Sequence, residues 1–394
     1  MNVCIDNKES IRLKRTLYIG FALRLLLLIT ILLLPKVGIE PYFISDDIKY
    51  ESHAITYIRN ASSLFDGKAL AAVIDAYMQP FWPLVTCLLA YAFRSIYAGR
   101  FLNIILSTAC IKLIYNITLL ISGKSKPALK AARIFAYLPL TLFTCCFPIK
   151  DIFIMYGVLY AFYVFLMVQN HKKVKIIQFI WCALLLIGVY FSRGAVTEFL
   201  LILFGVYIAI GFAKSKKYWS LAVTILVFIA FIIIFGNRIY EAFFIKVEDY
   251  GGDTGLGNGI RYVQINGITD IYKLPFTYFF ATLQPITLNL LKMGRSSLWL
   301  TIITNLNVSI YPIATGNFIY IFFKKRNRFF WWSTFIFYSA VIILSIGVFR
   351  HYLFLLPVQI INYSLCTDQN KDAKPFSFLA AAALLILVLF LSLV

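Results

Sequence analysis

The sequence predicts an all-α fold, a polytopic transmembrane helix bundle with about eleven crossings formed as one integral membrane domain over residues 1–394. Three observations lead there. The chain is 61% hydrophobic and only 14% charged, with a mean hydropathy of +0.83, whereas a soluble protein carries roughly a quarter of its residues as charges. Its apolar residues come in uninterrupted blocks, each long enough to cross a hydrocarbon core of about 30 Å at about 1.5 Å per residue. The net charge of +20 is gathered in short basic clusters between those blocks, not along one face. That is the positive-inside pattern and argues against a nucleic-acid partner.

The clusters are Lys8-Arg12-Lys14-Arg15, Lys124-Lys126-Lys130-Arg133, His171-Lys172-Lys173-Lys175, Lys214-Lys216-Lys217, Lys324-Lys325-Arg326-Arg328 and Lys371-Lys374. Placing all of them in the cytoplasm requires an even number of crossings between any two. The first block, Leu17 to Pro35, lacks a small-residue cleavage site before Lys36 and is read as a retained span. Blocks 133–148 and 151–169 pair, which puts Lys150-Asp151 outside; blocks 176–191 and 195–212 pair, which puts Ser192-Arg193-Gly194 outside. Block 219–236 leads outward to the polar stretch Asn237 to Pro275, and blocks 298–323 and 329–349 place Arg350-His351 outside. Blocks 80–97 and 101–122 together owe one crossing, so one of them is partial, and 276–291 owes none, so it is re-entrant or interfacial. The count stays open by about two. The seven cysteines show no CxxC spacing and read as packing residues.

Two hydrophilic segments, 36–79 and 237–275, are external on this bookkeeping and too short to be separate domains. Residues 47–77 of the first read as helices on the membrane surface. The second carries Gly251, Gly252, Gly255, Gly257 and Gly259, a mobile loop by composition.

The first external segment also holds Asp46, Asp47 and Glu51, three acids close together in a chain with only 17. Transfer of a sugar to a hydroxyl needs a carboxylate that takes the acceptor's proton, or one that holds a divalent cation against a phosphate leaving group. On a helix, Asp47 and Glu51 share a face at i, i+4, with His53 less favourably placed. The bland alternative is a solvated loop. On the same outer side lie Lys150, Arg193, Arg261, Arg350 and His351, against the positive-inside bias. A diphosphate leaving group gives them a role, since Arg forms bidentate bonds to phosphate oxygens; snorkelling to lipid phosphates is the alternative. Glu198 lies within a span and needs a partner, for which Arg193 at i−5 is poorly spaced. No phosphate-binding glycine loop, His/Cys metal site or Gly-x-Ser-x-Gly elbow is present in the sequence.

With these residues in view, Ser45-Asp46-Asp47-Ile48-Lys49-Tyr50 followed by Pro80-Phe81-Trp82-Pro83-Leu84 resembles the membrane glycosyltransferases of the C-type fold. Tyr137-Leu138-Pro139 followed by Pro148-Ile149-Lys150-Asp151 is similar to a Pro-rich span ending in Lys-Glu or Lys-Asp in that group. Phe191-Ser192-Arg193-Gly194-Ala195 resembles a Ser-Arg-Gly segment of bacterial O-antigen and capsule polymerases. The resemblance implies a multi-pass transferase of the bacterial inner membrane, its N-terminus cytoplasmic, acting at the outer face on a polyprenyl-(di)phosphate-linked sugar or oligosaccharide. The acidic loop would supply the base and the arginines would hold the phosphates. Membrane lipids and other polysaccharide-assembly proteins are the partners it implies. The chain departs from the monosaccharide transferases of that fold in lacking their C-terminal soluble domain, and its size and many spans suit a repeat-unit polymerase better. Two alternatives stay open: a polyprenyl-phosphate-monosaccharide-dependent transferase, and a lipid-linked sugar flippase or transporter. A transporter calls for midplane charge and internal repeats; Arg24, Lys112 and Glu198 are the only such charges noted, and no repeat is seen.

Overall fold

The computed structural model describes residues 7–42 and 45–227, with short pieces between 229 and 382, chiefly 306–310 and 353–369. The loop 237–275, blocks 276–291 and 329–349, and most of 298–323 lie outside the described residues. Every regular element among the described residues is helical. Five helical stretches there are long and apolar enough to cross a membrane: Lys8–Val37, Ala98–Ser122, Asp151–Gln169, Ile176–Gly194 and Val196–Ala213. The chain is a helical, multi-pass membrane protein.

Helix α1, Asn7–Leu33, runs antiparallel to α5, Ala98–Ser122. Arg24 Nε donates to Ser107 Oγ at 3.0 Å, while a Cβ on Gly20, one turn earlier, would stand 2.9 Å from Ile111 Cδ1, one turn later on α5. The end of α5 is capped by Gly123 in the left-handed region, and α6, Ser125–Tyr137, climbs back along it. Sequence reading took 133–148 as one span. The helix instead stops at Leu138, because Pro139 has no N–H to offer the carbonyl of Phe135 and its ring excludes a continuing helix. A short α7, Pro139–Thr144, restarts the rise.

That break leaves carbonyls inside the bundle, where each costs free energy unless bonded. Arg24 fills the gap: Nη1 donates to Ala136 O at 3.0 Å and to its own Gly20 O at 2.9 Å, and Nη2 lies 3.4 Å from Phe135 O. Thr141 Oγ1 adds a second donor to Phe135 O at 2.7 Å. A guanidinium at a helix C-terminus also opposes the negative end of the helix dipole. Arg24 is therefore fully buried yet bonded on every side the break exposes.

Helix α8, Asp151–Gln169, descends from the far end of this rise and leads into α9, Ile176–Lys214. The latter is a hairpin. Its backbone leaves helical geometry at Arg193 (φ −164°, ψ 85°), and Thr197 Oγ1 reaches Leu186 O at 3.4 Å across eleven residues, which a straight helix would hold about 16 Å apart. The pair of spans expected at 176–191 and 195–212, with Ser192-Arg193-Gly194 between them, is thus seen as a bent helix. Small residues allow α8 and α9 to approach closely. A Cβ on Gly157 would sit 2.6 Å from Val189 Cγ2, and one on Gly188 2.8 Å from Phe153 Cζ.

Following the chain up and down gives the bundle two unlike ends. The basic clusters at the start of α1, between α5 and α6, between α8 and α9, and after α9 share one end. Residues 34–42, the start of α5, the segment 145–150 and the bend at Arg193 share the other, the acidic end. Here lie α2 (Ser45–Asn60), α3 (Gly67–Asp75) and α4 (Phe81–Phe93). At 13 residues, about 20 Å, α4 is too short to cross, so it is the partial member of the 80–97 and 101–122 pair. Asp66 caps α3, accepting from the N–H groups of Lys68 and Ala69 at 3.0 and 3.1 Å and from Ser62. Those bonds hold its carboxyl well below the usual carboxylate range. Near the C-terminus α10, Leu356–Gln369, packs on α6, where Lys130 Nζ donates to Thr367 Oγ1 and lies 5.4 Å from the Tyr363 ring. No disulfide joins any of the six described cysteines.

Candidate functional site

Helix ends converge at the acidic end on the non-helical segment Phe147 to Lys150 and the first residue of α8. Pro148 prevents this stretch from continuing α7, which leaves its carbonyls open to side chains. Asn103 Nδ2 on α5 donates to Phe147 O at 2.6 Å and Ile149 O at 2.9 Å, and Trp82 Nε1 on α4 donates to Pro148 O at 2.6 Å. Lys150 Nζ donates to Gln79 Oε1 at 2.5 Å. Asp151 Oδ1 stands 3.0 Å from Arg193 Nη2, both side chains nearly buried. One short segment thereby fixes α4, α5, α9 and the link from α3 to α4.

Helix α2 lies beside it, with Asp47, Tyr50, Glu51, Ala54 and Tyr57 buried and Ile48, Lys49, Ser52 and Thr56 exposed. That is a helical stripe, and two of its buried members are acids. A carboxyl out of water needs compensation. For Glu51 it comes from Arg100 in the first turn of α5, whose Nε donates to Oε1 at 2.5 Å. Arg100 Nη1 also donates to Pro41 O at 2.8 Å, and the rings of Tyr42, Tyr97 and Phe147 surround the guanidinium at 5.7–5.9 Å. Burial raises the Glu51 carboxyl above its ordinary value, and the bond from Arg100 offsets only part of that.

Asp46, half-buried, sits on the neighbouring face of α2. Tyr77 packs against that face, its ring 5.7 Å from Tyr50 and 5.0 Å from His53. Burial, then the nearby Cys87 thiol and Asp46 charge, push the Tyr77 phenol upward. Glu51 Oε2, Arg100 Nη2, Asn103 Oδ1 and Tyr77 Oη are buried with no hydrogen-bond partner among the described residues. They are atoms that a bound water or a substrate hydroxyl would satisfy. Among the described residues no three His, Cys, Asp or Glu side chains are grouped to share a metal ion.

Of the residues singled out in the sequence, Asp46, Asp47, Glu51, Lys150 and Arg193 are gathered at this one end. Arg261, Arg350, His351 and Asp270 lie outside the described residues. Glu198 is buried within α9, next to Gly194. Sequence reading missed Arg100, which stands between the two blocks whose parity was open, and placed Asp151 at the outer face without naming it among the site residues. Asn103 and Gln79 carried no signal. No protein-family model matches the chain, and no significant similarity links it to a characterised protein or to a solved structure.

Proposed function

We propose that the chain is a membrane glycosyltransferase of cell-surface polysaccharide assembly, an O-antigen or capsule repeat-unit polymerase acting on polyprenyl-diphosphate-linked glycan. It works at the outer face of the bacterial inner membrane with its N-terminus in the cytoplasm. The observation that carries this reading is the concentration of Asp46, Asp47, Lys150 and Arg193 at the end of the bundle opposite the basic clusters. In the proposed step an Asp46 or Asp47 carboxylate takes the proton of the acceptor hydroxyl as its oxygen attacks the anomeric carbon. The bond from that carbon to the diphosphate oxygen breaks, and the leaving anion is stabilised by Arg193 and Lys150. A divalent cation on the carboxylates is the other way the same groups would serve.

The transporter alternative draws on the break at Pro139 and the buried Arg24, since broken helices and midplane charges mark translocation sites. Arg24 is engaged by the carbonyls of that break, which favours the transferase. The deciding experiment is the polysaccharide profile of a deletion strain. Loss of long chains with single repeats still delivered to the surface supports a polymerase; loss of both, with lipid-linked repeats retained inside, makes the protein a flippase.

A further inference from the structure

Asp46 and Asp47 lie in a segment held on both sides by one side chain. Ahead of them, Pro41 O accepts from Arg100 Nη1 at 2.8 Å. One turn after Asp47, Glu51 Oε1 accepts from Arg100 Nε at 2.5 Å. Arg100 belongs to a full-length spanning helix and is completely buried. Its guanidinium is planar and presents its donors in fixed directions, so two bonds from it define both where the segment comes off α1 and how α2 is rotated.

We propose that Arg100 is a positioning residue that fixes the acids of α2 in place, and that Glu51 is the anchor it grips, not the base. This rests on the transferase reading above. Glu51 needs only an acceptor oxygen for the role, and its Oε1 is already taken by Arg100 Nε at 2.5 Å. Lysine in place of Arg100 supplies a point charge that cannot hold Pro41 O and Glu51 together in the same directions.

The test compares wild type with R100Q, R100K, E51Q, E51A and the double variant D46N/D47N. Transfer is measured with repeat-unit lipid extracted from the deletion strain, and the placement of α2 by electron-spin distance between labels at Lys49 and Lys124, both exposed. R100Q and E51A are expected to broaden the distance distribution and lower kcat about a hundredfold, the scale set by misplacing a catalytic group by about 1 Å. KM for the lipid stays the same, because Arg193 still holds the donor. E51Q keeps an acceptor oxygen but cannot take a proton, and is expected to keep a narrow distribution and most of kcat; R100K falls between.

An E51Q variant as inactive as D46N/D47N, with α2 still in place, makes Glu51 the base and overturns the assignment. So does R100Q with a narrow distribution and full kcat. If D46N/D47N transfers as well as wild type, the transferase reading of these acids fails. The distance measurement then decides the clasp alone: broadening in R100Q keeps Arg100 as the residue that places α2, and no change removes it.

Discussion

Asp151 and Arg193 form an ion pair at 3.0 Å across the top of the α9 hairpin, where Arg193 is the one residue of that helix outside helical geometry. The pair ties the bend of α9 to the first turn of α8, and Arg193 compensates the burial of the Asp151 carboxylate. Removing the cation from a buried carboxylate costs about 3–5 kcal/mol. Arg193→Ala should lower the thermal stability of the purified protein accordingly, and Asp151→Ala added to it should restore part of the loss. A double-mutant cycle in detergent that gives no coupling would mean that the two charges do not depend on each other.

Arg193 has a second use if it binds phosphate. Arg193→Lys keeps the charge but not the planar fork, so chain length should fall with Lys and fall further with Ala at equal protein level. Normal polysaccharide from both variants would make Arg193 an anchor of the bend only.

Trp82 fixes Pro148 O through a single bond of 2.6 Å and stacks on Phe153 at 5.7 Å. Trp82→Phe keeps an aromatic ring and leaves that carbonyl buried without its donor, for a loss of about 1–3 kcal/mol. Because the same segment carries Lys150 and Asp151, activity should drop more than stability. An activity loss no larger than the fraction unfolded would show that the segment tolerates loosening.

The raised Glu51 carboxyl has a pH signature. Its folded value lies above the unfolded value of about 4.3, so its contribution to stability is fully present below that value. The contribution is lost as pH rises through the folded value, where a buried carboxylate must form. Wild type should therefore lose stability relative to Glu51→Gln as pH is raised from about 4. A gap that instead widens in favour of wild type would mean that the Arg100 bond outweighs burial.

Much of this end of the molecule could be read in advance. The i, i+4 spacing of Asp47 and Glu51 placed both on one helical face, and Ser-Arg-Gly marked the bend of α9. What stayed hidden depends on tertiary contact. Arg100 and Glu51 are bonded across 49 positions, and no local pattern announces such a pair. The parity argument required one partial member in the pair 80–97 and 101–122 without saying which, and α4 is that member; Arg100, between the two blocks, carried no signal of its own. Pro139 was noticed as part of a resemblance, yet its consequence, a broken rise with open carbonyls, became visible only with Arg24 placed beneath it.

Arg24 gives the sharpest separation between the transferase and transporter readings. As a structural donor it supports Ala136 O and, with Thr141, Phe135 O. Arg24→Leu removes both contributions and should destabilise the fold by about 1–3 kcal/mol for each carbonyl left without a donor. Phe135 O keeps Thr141, so most of the cost falls on Ala136 O, and adding Thr141→Val should raise it more than that substitution does alone in wild type. Arg24→Lys, reaching fewer carbonyls at once, should lie between. A residue that carried charge for translocation would behave differently: Arg24→Leu would fold with wild-type stability and abolish surface delivery of repeat units. Thermal unfolding of the four variants, read beside the surface polysaccharide of cells that express them, distinguishes the two outcomes, because loss of stability with normal delivery in the surviving protein fits only the capping role.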